Sequence, residues 1–210
     1  MELVNKYFPG LTQTQREQYD ALAELYPEWN AKINVISRRD IDNLEPNHVL
    51  HSLAIARFWG ELAPGTRVLD LGTGGGFPGI PLAIMYPQAH FHLIDRVAKK
   101  LRVAEDIARR IGLQNVTIQH GDAGECHERY DYVVSRAVMP LADLVRISAR
   151  NVGRAGAKNR YAPGIVCLKG GDLAEEIAAV RRPVTDYDLA ELLPEPAFDT
   201  KKLIYVPVKA

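Results

Sequence analysis

The sequence predicts an α/β fold, in which a mostly parallel, seven-stranded sheet follows a helical extension at the N-terminus. Apolar residues recur at spacings of three and four before residue 64, and short apolar runs alternate with helical stretches after it. A glycine-rich turn follows the first of these runs. Strands that alternate with helices imply crossover connections and a sheet that is covered on both faces. We therefore expect a helical extension at residues 1–63 and a sheet domain at 64–210, packed as one unit.

The N-terminal segment has the pattern of amphipathic helices. A capping box can start at Thr12, with Gln15, or at Thr14. Apolar side chains then follow at helical spacing: Tyr19, Leu22, Leu25, Trp29 and Ile33. Pro27 interrupts this pattern and lacks a backbone donor, so it is expected to kink or divide the helix. A second helix is predicted to start near Pro46.

The remaining elements are predicted from alternating apolar and helical patterns. Strands are expected at residues 67–71, 90–95, 116–119, 132–135, 164–169, 185–189 and 202–208. Helices are expected at residues 78–86, 97–111, 141–152 and 171–181. In sheets of this kind, ligands bind beyond the carboxyl ends of the strands, so residues at those ends are the candidates for function.

The strongest functional pattern is the glycine-rich turn in VLDLGTGGGFPGIPL, which joins the first strand to a helix. Glycine permits a positive φ and lets a ligand approach the backbone closely. The turn contains Gly72, Gly74, Gly75, Gly76 and Gly79. Asp95 ends the next strand, where a carboxylate can accept hydrogen bonds from ribose hydroxyls. The pattern predicts a nucleoside ligand.

Two cofactors are compatible with this turn. Gly74, Gly76 and Gly79 match the GxGxxG fingerprint of NAD-binding proteins. However, Asp70 at the end of the strand would repel a pyrophosphate, whereas it suits S-adenosylmethionine, which carries an ammonium and a sulfonium and no phosphate. From the residues alone, the acceptor of a methyl group stays open. The residues alone are compatible with a methyltransferase that acts on small molecules or proteins. They are also compatible with a nucleotide-binding module without catalysis, such as an NAD sensor.

Composition narrows the class of protein. Lysine and arginine number 26, aspartate and glutamate also number 26, and the formal net charge is zero at pH 7. This balance excludes binding to nucleic acid by diffuse attraction to phosphates, which needs an excess of cations. No apolar run reaches the length of about 18 residues that a membrane span needs, and neither cysteine has neighbours at metal-ligand spacing. We expect a cytoplasmic protein with no membrane segment and no metal.

Five stretches of the chain resemble the bacterial RsmG (GidB) family, in the same order, from about residue 12 to the end. They are EWNAKINVISRRD, VLDLGTGGGFPGIPLAI, LIDRVAKK, VVSRA and LKG. The resemblance implies a class I, Rossmann-like methyltransferase that uses S-adenosylmethionine and releases S-adenosylhomocysteine. It also implies N7-methylation of a guanine in a decoding-region loop of 16S ribosomal RNA. We expect a monomer whose partner is this RNA or the small ribosomal subunit.

The resemblance further implies roles for individual residues. Gly72 and Phe77 would line the methionine and sulfonium side of the pocket, and Asp95 would hold the ribose. Asp122 and Ala123 would flank the adenine. The cofactor set expected on this basis is Asp70, Gly72, Gly74, Gly76, Phe77, Asp95, Asp122, Ala123 and Arg136. The chain departs from the family at His51, where the family pattern HxxDS carries an acid.

Methylation at guanine N7 needs no general base, because N7 presents an in-plane lone pair and has no proton to lose. The sequence shows no Ser-His-Asp, paired-carboxylate or cysteine-nucleophile pattern, and we assign no residue as acid or base. Arg136 follows the fourth strand and would sit at the junction of cofactor and substrate, where it would position the reacting groups. The alternative is a structural ion pair of Arg136 with Asp131 or Asp143.

Contacts to RNA are expected from local clusters of cations. The candidates for substrate contact are Ser37, Arg38, Arg39, Lys100 and Lys169. Lys99 and Arg102, and the stretch with Arg146, Arg150, Arg154, Lys158 and Arg160, are further basic clusters. The loop at 151–161 is expected to be mobile and to become ordered on RNA. Any of these clusters could instead be an ordinary solvated surface.

Overall fold

The computed structural model describes residues 1–136, 138–153 and 158–208. Its strands are β1 (Arg67–Leu71), β2 (His90–Asp95), β3 (Val116–His120), β4 (Tyr132–Arg136), β5 (Gly164–Gly170), β6 (Thr185–Asp188) and β7 (Lys201–Pro207). They form one sheet in the order β3-β2-β1-β4-β5-β7-β6. The neighbours among β1 to β5 are parallel, and β7 runs antiparallel to both β5 and β6. The prediction of a mostly parallel, seven-stranded sheet is therefore confirmed.

The described residues also form helices before and between the strands. They are α1 (Glu2–Tyr7), α2 (Gln13–Asn30), α3 (His51–Trp59), α4 (Gly79–Met85), α5 (Ala98–Arg110), α6 (Leu141–Ser148), α7 (Ala174–Ala178) and α8 (Leu189–Leu192). Short α1 was not expected from the sequence. Within the described parts of the chain, every helix is too short or too polar to cross a bilayer.

The start of α2 is set by the expected capping box. Gln15 N donates to Thr12 Oγ1 at 3.2 Å, and Thr12 N donates to Gln15 Oε1 at 2.9 Å, which satisfies two backbone donors that the helix leaves free. The expectation that Pro27 divides the helix is wrong. Pro27 lies in the last turn, and Ala31 N still donates to its carbonyl at 3.1 Å, so the loss of one N–H group there does not end the helix.

The second predicted helix begins as a π-helical turn at Glu45–Leu50 and continues as α3. Pro46 lies in the first turn of this segment, where a missing N–H group costs no intrahelical bond. A π-helical turn is wider than an α-helical one and is frequent at functional sites. Here it lies at the carboxyl edge of the sheet, since Asn47 O accepts a hydrogen bond from Arg136 at the end of β4.

Apolar side chains pack on both faces of the sheet. On one face, Val68 of β1 shares a core with residues of α2, α3, α4 and α5. On the other face, Leu69 and Leu71 share a core with residues of α6. Successive side chains of a strand point to opposite faces, so Asp70 points to the face that carries α4. The two N-terminal helices α2 and α3 thus share a core with the sheet.

Candidate active site

A cavity of about 610 Å³ opens at the carboxyl ends of β1, β2 and β4. Its volume is in the usual range of small-molecule sites, about 300–1,000 Å³. The predicted site residues that line it are Gly72, Gly74, Phe77, Asp95, Asp122, Ala123, Arg136 and Lys100. Side chains that were not expected to contact the cofactor also line it: Val35, Val97, Val138, Met139, Asp143, Arg146 and Ile147. The edge of the sheet is the one that parallel strands predict.

Asp70 does not line the cavity, against the prediction that it contacts the cofactor. It is fully buried, because alternation along β1 points it to the α4 face. Its Oδ2 accepts hydrogen bonds from Thr73 Oγ1 at 2.6 Å and from Gly79 N at 2.8 Å. The Asp70 carboxylate therefore connects the glycine-rich turn to the N-terminus of α4. Its Oδ1 has no hydrogen-bond partner among the described residues.

Burial raises the pKa of Asp70 to about 7, although the hydrogen bonds from Thr73 and Gly79 oppose this shift. The folded protein then holds a proton on Asp70 between about pH 4 and pH 7 that the unfolded chain releases, so this group lowers stability as the pH rises through that interval. Asparagine has no proton to release in this interval. We therefore expect the free energy of unfolding of Asp70→Asn, relative to that of wild type, to be higher at pH 8 than at pH 5 by an amount on the order of a few kcal/mol. Urea unfolding at both values measures it.

The comparison with wild type is needed because buried histidines titrate in the same interval. Burial lowers the pKa of His48 to about 4, which makes stability rise with pH between about 4 and 6.5 in both proteins. Only the difference between the two proteins isolates Asp70. Equal pH profiles for wild type and Asp70→Asn would contradict the assignment of a raised pKa.

The glycines of the turn differ in what they do. Gly72 and Gly74 line the cavity with φ of +75° and +59°, a region that favours glycine. Gly76, at φ +106°, does not line the cavity, against the prediction. A Cβ on Gly76 would lie 2.5 Å from Ile80 Cγ1, so Gly76 serves the packing of the turn, and Gly75 lines the cavity instead.

Two acids stand at the predicted places in the cavity wall. Asp95 accepts hydrogen bonds from Gly74 N and Val97 N, both at 2.8 Å, and so ties the turn to the end of β2. Asp122 accepts from Gly124 N at 3.0 Å and lies 3.7 Å from Arg96 Nη1. Each carboxylate oxygen can accept more than one hydrogen bond, so Asp95 retains acceptor capacity for a ribose diol.

The apolar walls fit an adenine ring. Val97 and Val138 are the two large apolar side chains with high exposure among the described residues, each 37% exposed, and both line the cavity. Ile94 and Ile147 line it as well. Exposed apolar side chains concentrated in one cavity indicate a ligand with an apolar face. Together with Asp95, they fit the adenosine of S-adenosylmethionine.

Arg136 forms no ion pair with any described residue, so neither predicted salt bridge exists. Asp131 accepts from Arg67 N at 2.8 Å, and Asp143 pairs with Arg146 at 3.0 Å. The Arg136 guanidinium instead lies 5.0 Å from the centroid of the Phe77 ring. Burial lowers the pKa of Arg136, and the nearby Asp70 opposes this. The cavity wall thus contains a partly desolvated cation that keeps donors for a ligand, apart from the one that bonds to Asn47 O.

Three further titratable side chains, His51, Lys201 and His48, feel the charge of Arg136 but do not line the cavity. His51 is buried and its ring centroid lies 5.8 Å from that of Phe198, whose ring also receives the ammonium of Lys201 at 5.5 Å. Burial and Arg136 lower the pKa of Lys201. His48 lies 5.4 Å from Phe77. The strand pattern of β7 could have identified Lys201 only if its antiparallel direction were known.

Apart from Lys169, the residues expected to contact RNA lie in three places: in the cavity wall, after Val35, and in the basic stretch that includes 151–161. Lys100 lines the cavity, and exposed Ser37, Arg38 and Arg39 follow the cavity residue Val35. Neither arginine forms an ion pair with a described residue. The basic stretch and loop at 151–161 include residues 154–157, which lie outside the described residues, as does Ala137 of the SRA motif.

Lys169 is placed differently from the prediction. Its side chain is only 9% exposed, and its ammonium pairs with Glu176 at 2.7 Å and donates to Met139 O at 3.0 Å. Glu176 also accepts a hydrogen bond from Leu141 N at 2.8 Å. Lys169 therefore holds the segment after β4 against α7, and its charge is neutralised by a nearby carboxylate.

A model of the family described as GidB, rRNA small subunit methyltransferase G, matches residues 15–192. The chain belongs to this family. It is 53% identical over 205 residues to the ribosomal RNA small subunit methyltransferase G of Bacteroides thetaiotaomicron, with 98% of each chain covered. The protein of the same description from Phocaeicola vulgatus is 51% identical, with 99% of each chain covered. Membership identifies this chain as a ribosomal RNA methyltransferase that uses S-adenosylmethionine.

Solved structures confirm the class I methyltransferase fold. Fibrillarin of Aeropyrum pernix, with bound S-adenosylmethionine, has a TM-score of 0.55 at 16% identity, and 75% of this chain and 73% of that chain are covered. A variant of MtNAS in complex with S-adenosylmethionine has a TM-score of 0.54 at 16% identity, with 92% of this chain and 76% of that chain covered. Among the described residues of the GidB-family chain, no group of acids, cysteines and histidines has the geometry of a metal site.

Proposed function

We propose that this protein transfers a methyl group from S-adenosylmethionine to N7 of a guanine in a decoding-region loop of 16S ribosomal RNA. Membership in the rRNA small subunit methyltransferase G family supports the RNA acceptor. The observation that carries the choice of cofactor is the hydrogen bond from Gly79 N to Asp70 Oδ2 at 2.8 Å. In NAD-binding folds the helix N-terminus at this point binds the pyrophosphate. A buried carboxylate holds that place here, which disfavours a dinucleotide.

Different residues of the cavity wall would bind different parts of the cofactor. Asp95 would accept hydrogen bonds from the ribose, and Val97 and Val138 would enclose the adenine. Gly72 and Gly74 leave the backbone open to the methionine part. When bound, S-adenosylmethionine supplies an electrophilic methyl group on a sulfonium, so the chain has only to bring a nucleophile in line with it.

Arg136 is the residue that would position the guanine. The oxygen O6 adjoins N7 and accepts hydrogen bonds from arginine, so a donor from Arg136 to O6 leaves the N7 lone pair free for attack. Positioning of this kind supplies about 7–11 kcal/mol in well-oriented reactions. No proton has to be removed from N7, in agreement with the lowered pKa of His48, whose neutral ring is turned to Asp40 and not to the cavity.

The RNA substrate must expose the target base. Single-stranded loops can present a splayed base to a cavity of this depth, whereas a duplex resists it. Lys100, Arg38 and Arg39 would contact phosphates beside the cavity. We further propose that the enzyme works as a monomer in the cytoplasm, where it meets 16S ribosomal RNA or the small subunit.

The deciding experiment is mass mapping of 16S ribosomal RNA from a strain without the gene, beside its parent. We expect the loss of one N7-methylguanine and its return when purified protein and S-adenosylmethionine are added to that RNA. RNA with 7-deazaguanine at the target is the matched control, since it lacks only the nucleophilic nitrogen. An unchanged N7-methylguanine signal in the deletion strain would refute the acceptor. Calorimetry that detected NAD and not S-adenosylhomocysteine would refute the cofactor.

A further inference from the structure

One carboxylate fastens the segment 37–39 to the π-helical turn at Glu45–Leu50. Asp40 Oδ1 accepts a hydrogen bond from Asn47 Nδ2 at 2.6 Å, and its Oδ2 lies 2.7 Å from His48 Nε2. These contacts lower the pKa of Asp40, against the effect of its partial burial. Both carboxylate oxygens are thus engaged by the turn, and Asp40 is ionised at neutral pH.

The same turn contacts the cavity on its other side. Asn47 O accepts a hydrogen bond from Arg136 Nη1 at 3.5 Å, and the His48 ring lies 5.4 Å from that of Phe77. Asn47 therefore connects Asp40 to the Arg136 guanidinium, beside which the guanine is proposed to lie. A shift of Asp40 relative to the turn would change the distance between segment 37–39 and Arg136.

The other end of the segment is fixed by Asn30. Its Oδ1 accepts hydrogen bonds from Val35 N and Ile36 N, both at 2.9 Å, and its Nδ2 donates to Ile36 O at 2.9 Å. Val35 lines the cavity, where a Cβ on Gly75 would come within 2.9 Å of it. The backbone that leads to the two arginines thus begins at the cofactor wall and ends at Asp40.

The two arginines between these anchors are exposed and form no ion pair with any described residue. A carboxylate in the same segment weakens their attraction to phosphates by its charge alone. Its contacts, in contrast, hold the segment in one position. The effects of Asp40 through charge and through position on RNA binding therefore have opposite signs, and a substitution can separate them.

We propose that Asp40 is a positioning residue, which holds Arg38 and Arg39 at the distance from Arg136 at which they meet RNA phosphates while the guanine lies in the cavity. This inference rests on the proposed function. On this proposal the exposed end of the segment has a fixed geometry. The two arginines then contact phosphates of the RNA loop at a set distance from Arg136 and do not act as a flexible basic patch.

Asp40→Ala tests the proposal, with Asp42→Ala as the matched control. Asp42 is exposed, lies two residues further on and makes no side-chain hydrogen bond with the described residues. The substitution Asp42→Ala therefore removes the same charge without removing the contacts of Asp40. We expect Asp40→Ala to raise KM for RNA roughly tenfold, the scale of one hydrogen bond to a charged group. Asp42→Ala is expected to leave KM unchanged or lower it. The Kd for S-adenosylhomocysteine is expected to stay unchanged in both.

Asp40→Asn separates charge from contact. The amide oxygen still accepts from Asn47, and a neutral His48 ring can accept from the amide nitrogen in its other tautomer. We expect Asp40→Asn to keep KM for RNA near that of wild type. If Asp40→Ala does not fold, Asp40→Glu replaces it, because the longer side chain displaces both contacts and keeps the charge; KM for RNA must then rise.

A double-mutant cycle shows whether Asp40 acts through the arginines. In a protein with Arg38→Ala and Arg39→Ala, the substitution Asp40→Ala is expected to have no further effect on KM for RNA. An Asp40→Ala protein that matches Asp42→Ala, or an unchanged effect without the arginines, would overturn the proposal. Failure of wild type to methylate the RNA would overturn the proposed function instead, so the two outcomes are distinguishable.

Discussion

Arg136→Ala is expected to lower kcat/KM for methyl transfer by about 10²–10³-fold, the usual cost of removing one well-placed donor from an active site. The guanidinium is half-buried beside Phe77 and has no carboxylate partner among the described residues. Because a partly desolvated cation without a carboxylate partner contributes little to folding, its removal is expected to change the free energy of unfolding by no more than about 1 kcal/mol. Methylation of 16S ribosomal RNA and urea unfolding measure the two effects.

Two variants serve as controls for Arg136. Arg146→Ala removes a cavity-lining arginine that is 72% exposed and paired with Asp143, and it is expected to change kcat/KM less than threefold, since exposed ion pairs contribute little. Arg136→Lys keeps the charge and loses the planar fork, and most of the activity is expected to stay lost. An Arg136→Ala protein that loses activity and stability in proportion would show that Arg136 is structural.

Gly72→Ala is expected to weaken binding of S-adenosylhomocysteine by about 10- to 100-fold, that is by roughly 1.4–2.8 kcal/mol. The added Cβ would lie 2.5 Å from Val138 Cγ1 and would push that cavity wall outwards. The positive φ of +75° also costs about 1–2 kcal/mol of stability for an alanine. Calorimetry with S-adenosylhomocysteine gives the affinity, and thermal unfolding without ligand gives the stability.

Gly112→Ala is the matched control for Gly72→Ala. Gly112 has almost the same φ, +74°, and a Cβ there would have no neighbour within 4 Å. It is expected to lose a similar amount of stability and none of the affinity. Adding Val138→Ala to Gly72→Ala removes the clashing methyl group and is expected to restore part of the affinity. Equal affinities of the Gly72 and Gly112 variants would contradict the role of Gly72 in the cavity wall.

Local patterns predicted the elements of the sheet well, because most strands contain a short apolar run, although β6 is polar and mostly exposed. The bounds of β1 and β2 agree with the prediction, at Arg67–Leu71 and His90–Asp95. The helix expected at 171–181 is shorter, Ala174–Ala178. The division at residue 64 stays a prediction, although α2 and α3 share a core with the sheet.

Site residues were predictable where they lie at the end of a strand whose direction was known. Asp95 and Arg136 end parallel strands, Asp122 was expected from the family resemblance, and the structure brings all three to one cavity. Lys201 reaches the same edge of the sheet, outside the cavity lining, and could not be found in this way, since β7 is antiparallel and presents its first residue there. Lys169 ends a parallel strand and still turns inward, because Glu176 of α7 pairs with it.

The sequence by itself determined most of the strands and helices, the glycine-rich turn and the family, since all three depend on residue types at short spacings. Only the tertiary structure decided which side chains face the ligand. Asp70 and Leu71 are neighbours, yet the alternation of β1 buries the first under α4 and places the second in the cavity. Charges that are equal in number along the chain are paired or left free by contacts between distant elements. Among the residues that the structure describes, Arg136 has no carboxylate partner and Lys169 has one, and a linear sequence does not specify such distances.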